Sequence, residues 1–370
     1  MSCKDVKKWL IKHQPVQPKG NAIRRLTTLS CLICAIVRAG RASLKSLGRE
    51  MGGNTDLESR MKKAKRWLNN KWTDTETHFF PYVAPIIRSL SRTGELVLAI
   101  DGSVMGNGCM CLMVSVLWRK RAIPVCWVVR RAPKGHFPTD MHTDVVGEVA
   151  VLLESLSADG CRVVMLGDGE FDSPELQGAC LGHRWDYVLR ANKATLVSES
   201  PGMEDATKLG NLAPLDGGCR LFVKGFYITA EGFGPVNIVY WHDKRYKKPL
   251  YLLTNLEYGP EAEQFYRKRY IIETLFADLK SRGFNMGRTR ISNPMTIYNL
   301  LIVAAVAYIK VLLFEFDARR SPHLGKFCRK DRVDELSVFQ LGLQGLLYHI
   351  KNGLNVSFQF SKNFPEFQIE

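Results

Sequence analysis

The chain has 370 residues, 46% of them hydrophobic and 24% charged, enough apolar content for a large buried core and two or three domains. Its 52 Lys and Arg exceed 36 Asp and Glu, a formal net charge of +16, which draws phosphate backbones or anionic surfaces without specifying either. The opening MSCKDVKKWLIKHQ lacks an apolar run of signal-peptide length, and ten scattered Cys read as reduced thiols of a cytosolic protein, not a disulfide framework.

Residues 1–92 read as a helical, basic domain; residues 1–90 carry 18 Lys and Arg against 6 Asp and Glu. Cys31-x-x-Cys34 lies inside the apolar run LSCLICAIV with no second ligand pair nearby, so a packed helix is expected there and not a zinc site. In DLESRMKKAKRWLNNKW, Lys62, Lys63, Lys65 and Arg66 form a cationic face beside an apolar stripe of Met61, Trp67 and Leu68. A solvated surface helix is the plain reading of such a segment. The cationic character of this whole quarter favours DNA contact by those four side chains.

From residue 95 the texture becomes short, branched and apolar. ELVLAID, CMCLMVSVLW and AIPVCWVVRR predict three successive strands, the last two joined by a basic turn at Arg119-Lys120-Arg121. A helix over MHTDVVGEVAVLLESL, a strand in CRVVMLGDGEF, a short helix in SPELQGACLG and a strand in WDYVLRA follow. That alternation predicts an α/β core with a mixed sheet, built from residues 93–190 and 259–320. Residues 191–258 interrupt it with CRLFVKGFYITA, GPVNIVYWHD and KPLYLLTN, the strands of a β-rich insertion. Helical pattern resumes at Glu261 and runs to about Arg282. A second helix follows from about Pro294 to Phe316. Its apolar stretch Leu300–Phe316 is shorter than the roughly 20 residues a membrane span needs, and Lys310 interrupts it; a buried helix is expected. Residues 321–370 form a basic tail with one more helix in LSVFQLGLQGLLYHI. His136 and His142, flanking HFPTDMH, read as loop polarity.

Two acids stand where buried strands end: Asp101 closes LVLAID, and Asp168 follows VVMLG. Strand ends of an α/β sheet hold groups rigidly yet exposed, although a strand-terminal Asp alone commonly just makes a turn. A third acid changes the weighing. In YRKRYIIETLFADLK, Arg269, Glu273 and Lys280 fall within about 60° of Tyr266 around a helix. Ile271, Ile272, Leu275 and Leu279 lie largely opposite. Glu273 could simply pair with Arg269 or Lys280. A carboxylate flanked by Arg and Lys is also what metal-dependent phosphodiester chemistry needs, the acid holding metal and the cations and phenol holding phosphates.

The pattern Y-x2-R-x3-E-x6-K at Tyr266, Arg269, Glu273 and Lys280 resembles the signature of IS-four-type insertion-sequence transposases, members of the DDE class, with no departure in residue or spacing. LAIDGS and GDGEFDSPEL are similar to that family's first-Asp and second-Asp strands, and KRWLNN to its N-terminal region, so the resemblance runs from about residue 20 to 315. One position departs: Gly169-Glu170 follows Asp168 where many relatives carry Arg-Gly, which leaves Glu170 and Asp172 as neighbouring carboxylates. The resemblance implies a ribonuclease-H-like catalytic core with a β-rich insertion and a helical N-terminal domain that reads terminal inverted repeats. It implies a transposase that cleaves double-stranded DNA at the element ends and joins the 3′-hydroxyls to target DNA. Asp101, Asp168 and Glu273 would hold two Mg²⁺ ions, with Mn²⁺ a substitute. Tyr266 and Arg269 would grip a phosphate near the transposon end, and Lys280 the adjacent backbone. Trp241, in VYWHD, is the candidate for stacking on a flipped base, although a lone Trp at a strand end is more often core or rim. Such enzymes resemble homodimers that synapse two ends, with no membrane part, in the cytoplasm at the nucleoid. Two other readings remain: a ribonuclease-H-like nuclease without strand transfer, and a catalytically inactive, transposase-derived DNA-binding protein.

Overall fold

Six helices precede the first strand: α1 (Cys3–Lys12), α2 (Asn21–Ala39), α3 (Leu44–Glu50), α4 (Leu57–Leu68), α5 (Thr75–His78) and α6 (Phe80–Ser91). Their boundaries follow local chemistry. The side chains of Ser2, Ser43, Asp56 and Asp74 each accept a backbone N–H three residues on, and Gly40 ends α2 in the left-handed region at φ 55°. The structure is a computed structural model that describes residues 1–132, 137–212, 219–242 and 248–356, with only the backbone of Lys330. His136 and the end of the basic tail lie outside the described residues.

Three long strands then form an antiparallel meander, β1 (Glu95–Val104), β2 (Cys109–Trp118) and β3 (Arg121–Arg131). The chain continues through α7 (Thr139–Leu156), β4 (Arg162–Gly167), α8 (Pro174–Gly182) and β5 (Asp186–Arg190). β4 lies parallel to β1, and β5 parallel to β4, giving the order β3-β2-β1-β4-β5. This is the ribonuclease-H-like mixed-sheet core the resemblance implied.

The β-rich stretch extends that sheet. After β6 (Leu196–Ser198), β7 (Thr207–Lys208), β8 (Arg220–Ile228) and β9 (Phe233–Trp241), strand β10 (Leu250–Thr254) pairs antiparallel with β5, and the order continues β10-β9-β8-β6-β7. The open edge of β5 is thereby covered, which removes a row of unpaired backbone groups. Alternation along β9 serves two cores at once: Val236, Ile238 and Tyr240 join a small separate cluster, while Val239 and Trp241 join the main one.

The single helix expected from Glu261 to Arg282 is instead three short pieces. α9 (Gly259–Tyr266) gives way at residues 267–270 to a tight turn, in which Lys268, Arg269 and Ile271 donate their N–H groups to carbonyls three residues back. α10 (Ile271–Ala277) follows, and Asp278–Arg282 then form a widened π turn. Last come α11 (Pro294–Arg319), α12 (Leu324–Phe327) and α13 (Val338–Lys351). α11 is long and apolar enough to cross a membrane, but 89% of its most apolar window is buried inside the protein, where it packs on α2, β3 and α13. Gly342 lets α13 approach closely: a Cβ there would sit 2.1 Å from the Val311 carbonyl oxygen.

Candidate active site

β1 and β4 run side by side in register, Leu98 opposite Met165 and Ala99 opposite Leu166. Two residues on, Asp101 and Asp168 therefore stand level just past the end of that pairing; Asp101, expected to close its strand, lies inside β1, which stays paired with β2 to Val104. Both side chains meet a residue far along the chain. Arg269 places Nη1 3.4 Å from Asp101 Oδ2 and 3.6 Å from Asp168 Oδ2, while its Nη2 donates to Glu273 Oε1. The turn before α10 turns Arg269 inward. The buried Ile272 and Leu275 fix the back of α10, as Leu279 does in the π turn, and leave Glu273 on the open side. Exposure grades across the group: Arg269 13%, Asp101 15%, Asp168 34% and Glu273 59%.

Asp101 is the most buried of the three carboxylates. Its Oδ1 accepts the Gly102 N–H at 2.7 Å. Burial pushes its pKa up to about 7, Arg269 pulls the other way, and the nearby charge of Asp168 adds to the rise. Lys280, in the π turn, donates to Ser103 Oγ at 3.2 Å. Asp101, Ser103, Asp168, Arg269, Glu273 and Lys280 line one open cavity of about 430 Å³. Five residues singled out from the sequence thus converge on it, Asp101, Asp168, Arg269, Glu273 and Lys280, with Arg269 contacting all three acids.

Tyr266 does not line that cavity, although Arg269 and Asp168 lie near enough to act on it. Tyr266 is buried, burial raises its phenol above the usual range, and the nearby charges of Arg269 and Arg190 pull the other way. Arg190 ends β5 and lines a neighbouring cavity of about 600 Å³ with Gly169, Asn192, Lys193 and Lys248. None of these basic residues was singled out from the sequence. An Arg closing the buried strand that follows the one leading to Asp168 was the legible signal for Arg190. Lys193 and Lys248 carried none, because the strand pairing of β5 with β10 brings them together. Glu170 and Asp172 serve the loop: Glu170 Oε1 accepts the Phe137 N–H at 2.8 Å, and Asp172 Oδ2 accepts the Asn192 N–H at 3.4 Å.

Lys62, Lys63, Lys65 and Arg66 are exposed on α4, Lys62 pairing with Glu58 at 2.8 Å. Lys65 and Arg66 line one surface cleft; Lys63 and Arg66 line a second with Arg24, Arg25 and Trp72, three residues the sequence reading passed over. Trp241 is buried in the main core, with the Arg267 guanidinium 4.1 Å from its ring centre, so a base stacking on that face would have to displace Arg267. His142 is buried on α7 against Phe171. Arg121, expected in a basic turn, instead opens β3 buried and paired with Asp278 at 3.2 Å, a partner 157 residues away that the local pattern does not show.

Among the described residues no three His, Cys, Asp or Glu side chains stand ready around a metal ion, because the Arg269 guanidinium sits among the carboxylates. That same arrangement tests the fit. Three carboxylate oxygens already converge on one positive charge, and an all-oxygen set of this kind suits a hard divalent cation such as Mg²⁺ or Mn²⁺.

No curated protein matches the sequence. Among solved structures, the Argonaute of A. aeolicus matches at 14% identity and a TM-score of 0.25 over 57% of this chain and 28% of its own. An Argonaute of Marinitoga piezophila, solved with a 5′ OH guide RNA and target DNA, matches at 11% identity and a TM-score of 0.24 over 71% of this chain and 38% of its own. This chain thus spans well under half of either, and a likeness this distant bears on neither substrate nor chemistry. A family model is more informative: residues 132–310, just under half of the chain and including Asp168 and Glu273, match the transposase DDE domain.

Proposed function

We propose that this protein is a DNA transposase of the IS-four type, which cleaves DNA at the inverted repeats of an insertion sequence and joins the 3′-hydroxyl ends to target DNA. The observation that carries the reading is the convergence of Asp101, Asp168 and Glu273 on one cation in an open cavity. The match of residues 132–310 to the transposase DDE domain supports it. The three carboxylates would hold two divalent ions, with Mg²⁺ as the natural choice. Bound there, such ions supply an activated nucleophile and a stabilised leaving oxygen.

The chain's own residues do the rest. Arg269 exchanges its carboxylate partners for a phosphate of the transposon end, which it can grip through two N–H groups. Lys280, beside Ser103, takes the adjacent backbone phosphate. Arg190 lines the neighbouring cavity with Gly169, Lys193 and Lys248. The three basic residues extend the cationic track along the strand. The exposed face of α4, with Arg24 and Arg25 of α2, binds duplex DNA at the repeat. A homodimer would bring two such ends together.

The test is cleavage of a fragment carrying the gene's flanking repeats by purified protein, in Mg²⁺, in EDTA and as Glu273→Gln. The reading requires cuts at the repeat ends that need both metal and Glu273. Binding without any cut in Mg²⁺ or Mn²⁺ would replace it with a silent DNA-binding descendant. Cutting without joining would mark a nuclease.

A further inference from the structure

Behind the cavity lies a charged pair that the proposed chemistry leaves unused. Arg121 Nη1 donates to Asp278 Oδ2 at 3.2 Å, with side chains only 8% and 1% exposed. The pair is poorly satisfied. Asp278 Oδ1, Arg121 Nε and the nearby hydroxyl of Tyr308 on α11 have no hydrogen-bond partner among the described residues. A buried ion pair with so few bonds adds little to stability, and apolar residues of similar size commonly do as well. Its position is what singles it out.

Asp278 is the first residue of the π turn that carries Lys280. Its carbonyl accepts the N–H of Gly283, five residues on, and that of Phe284 at 3.3 Å. Gly283 is closed in on the other side: a Cβ there would sit 2.4 Å from the Phe339 ring and 2.8 Å from the Asp278 carbonyl oxygen. At the far end, Gln340 of α13 donates to the Arg282 carbonyl at 2.8 Å. Lys280 lies between these anchors and reaches Ser103. Turns of this kind within α-helices are uncommon and concentrate at functional sites.

We propose that the Arg121–Asp278 pair is a positioning device that holds the widened turn and so aims Lys280 into the carboxylate cavity. Without the charge on Asp278, the turn is free to relax to α geometry. Two residues on, Lys280 then swings around the axis by some tens of degrees, away from Ser103. For what Lys280 touches, the proposal rests on the function given above; for the geometry it does not.

The experiment uses the full chain carrying Arg121→Met with Asp278→Leu, chosen to keep the core filled, beside Asp278→Asn, Lys280→Ala and the combined triple variant. Labelling of Lys280 by an amine-reactive reagent is followed by mass spectrometry, with Lys62 on α4 as the reference. Repeat-end cleavage is measured in parallel. The expected result is a melting temperature close to the parent's, several-fold faster labelling of Lys280, and cleavage slowed about tenfold, the scale of one lost charge-assisted contact. Adding Lys280→Ala to the double variant should then slow cleavage no further. Unchanged Lys280 labelling in both the double variant and Asp278→Asn would overturn the proposal, as would fully additive effects on cleavage. If the parent cuts no DNA at all, the functional reading fails while the labelling still decides the positioning.

Discussion

Arg269→Gln offers the sharpest test of the carboxylate cluster, because it removes the cation that contacts all three acids. The bond to Asp101 joins two mostly buried side chains, and a charge-assisted contact of that kind contributes about 1.5–3 kcal/mol. Asp168 lies at 3.6 Å and a third exposed, and Glu273 is mostly exposed, so solvent screening leaves each well under about 1 kcal/mol. Without metal the variant should therefore lose about 2–4 kcal/mol. With an unfolding entropy of about 2.1 cal/mol/K per residue over the whole chain, that is a drop in Tm of roughly 3–5 °C. Divalent ions should reverse the order of effects. In the parent they compete with the guanidinium; in Arg269→Gln they meet the same carboxyl groups with no guanidinium in the way. Saturation at about 100 times Kd returns about 2.7 kcal/mol, so Mg²⁺ or Mn²⁺ should raise the Tm of the variant by several degrees and of the parent by less. Thermal melts in EDTA and across a metal titration read both. A variant as stable as the parent in EDTA, with no larger response to metal, would refute the reasoning.

Three further outcomes follow from the same geometry. Burial lifts Asp278 to about 6 against an unfolded value near 4, so its contribution is fully present below about pH 4 and is lost as pH rises through 6; urea titrations between pH 4 and 7 should show stability falling in that window, with a flatter profile in Asp278→Asn. Gly342→Ala forces a methyl against the Val311 carbonyl oxygen where α13 crosses α11 and should cost about 1–3 kcal/mol or more, read as a lowered urea midpoint. Replacing Lys63 and Arg66 by Ala should weaken DNA binding at every sequence alike, each lowering the slope of log K against log salt by about 1; an unchanged slope would move the duplex off this face.

How much of the protein was legible in its sequence depends on the range of the interactions. The meander of β1 to β3, the alternation of α7, β4, α8 and β5, and the buried helix α11 were readable because each is written in apolar periodicity or in capping residues within a few positions. Asp168 was readable as the acid just past the apolar strand β4, and Glu273 through its spacing from Arg269 and Lys280; Asp101 was readable as the acid that ends the apolar run of β1, although the strand itself continues to Val104. The break of the Glu273 helix into a tight turn, a short helix and a π turn was not readable, since the local pattern fits one continuous helix equally well.

Contacts between distant segments were out of reach for the same reason. Arg269 meets Asp101 across 168 residues, and Arg121 meets Asp278 across 157. Arg190, Lys193 and Lys248 share a cavity only because β10 pairs with β5. Local sequence therefore determined which residues end strands and which face of each helix is apolar. The order of strands in the sheet decided which of those ends share one edge, and so which charges meet there. Charge pairing of that kind is set by burial and by distance in space, and separation along the chain encodes neither.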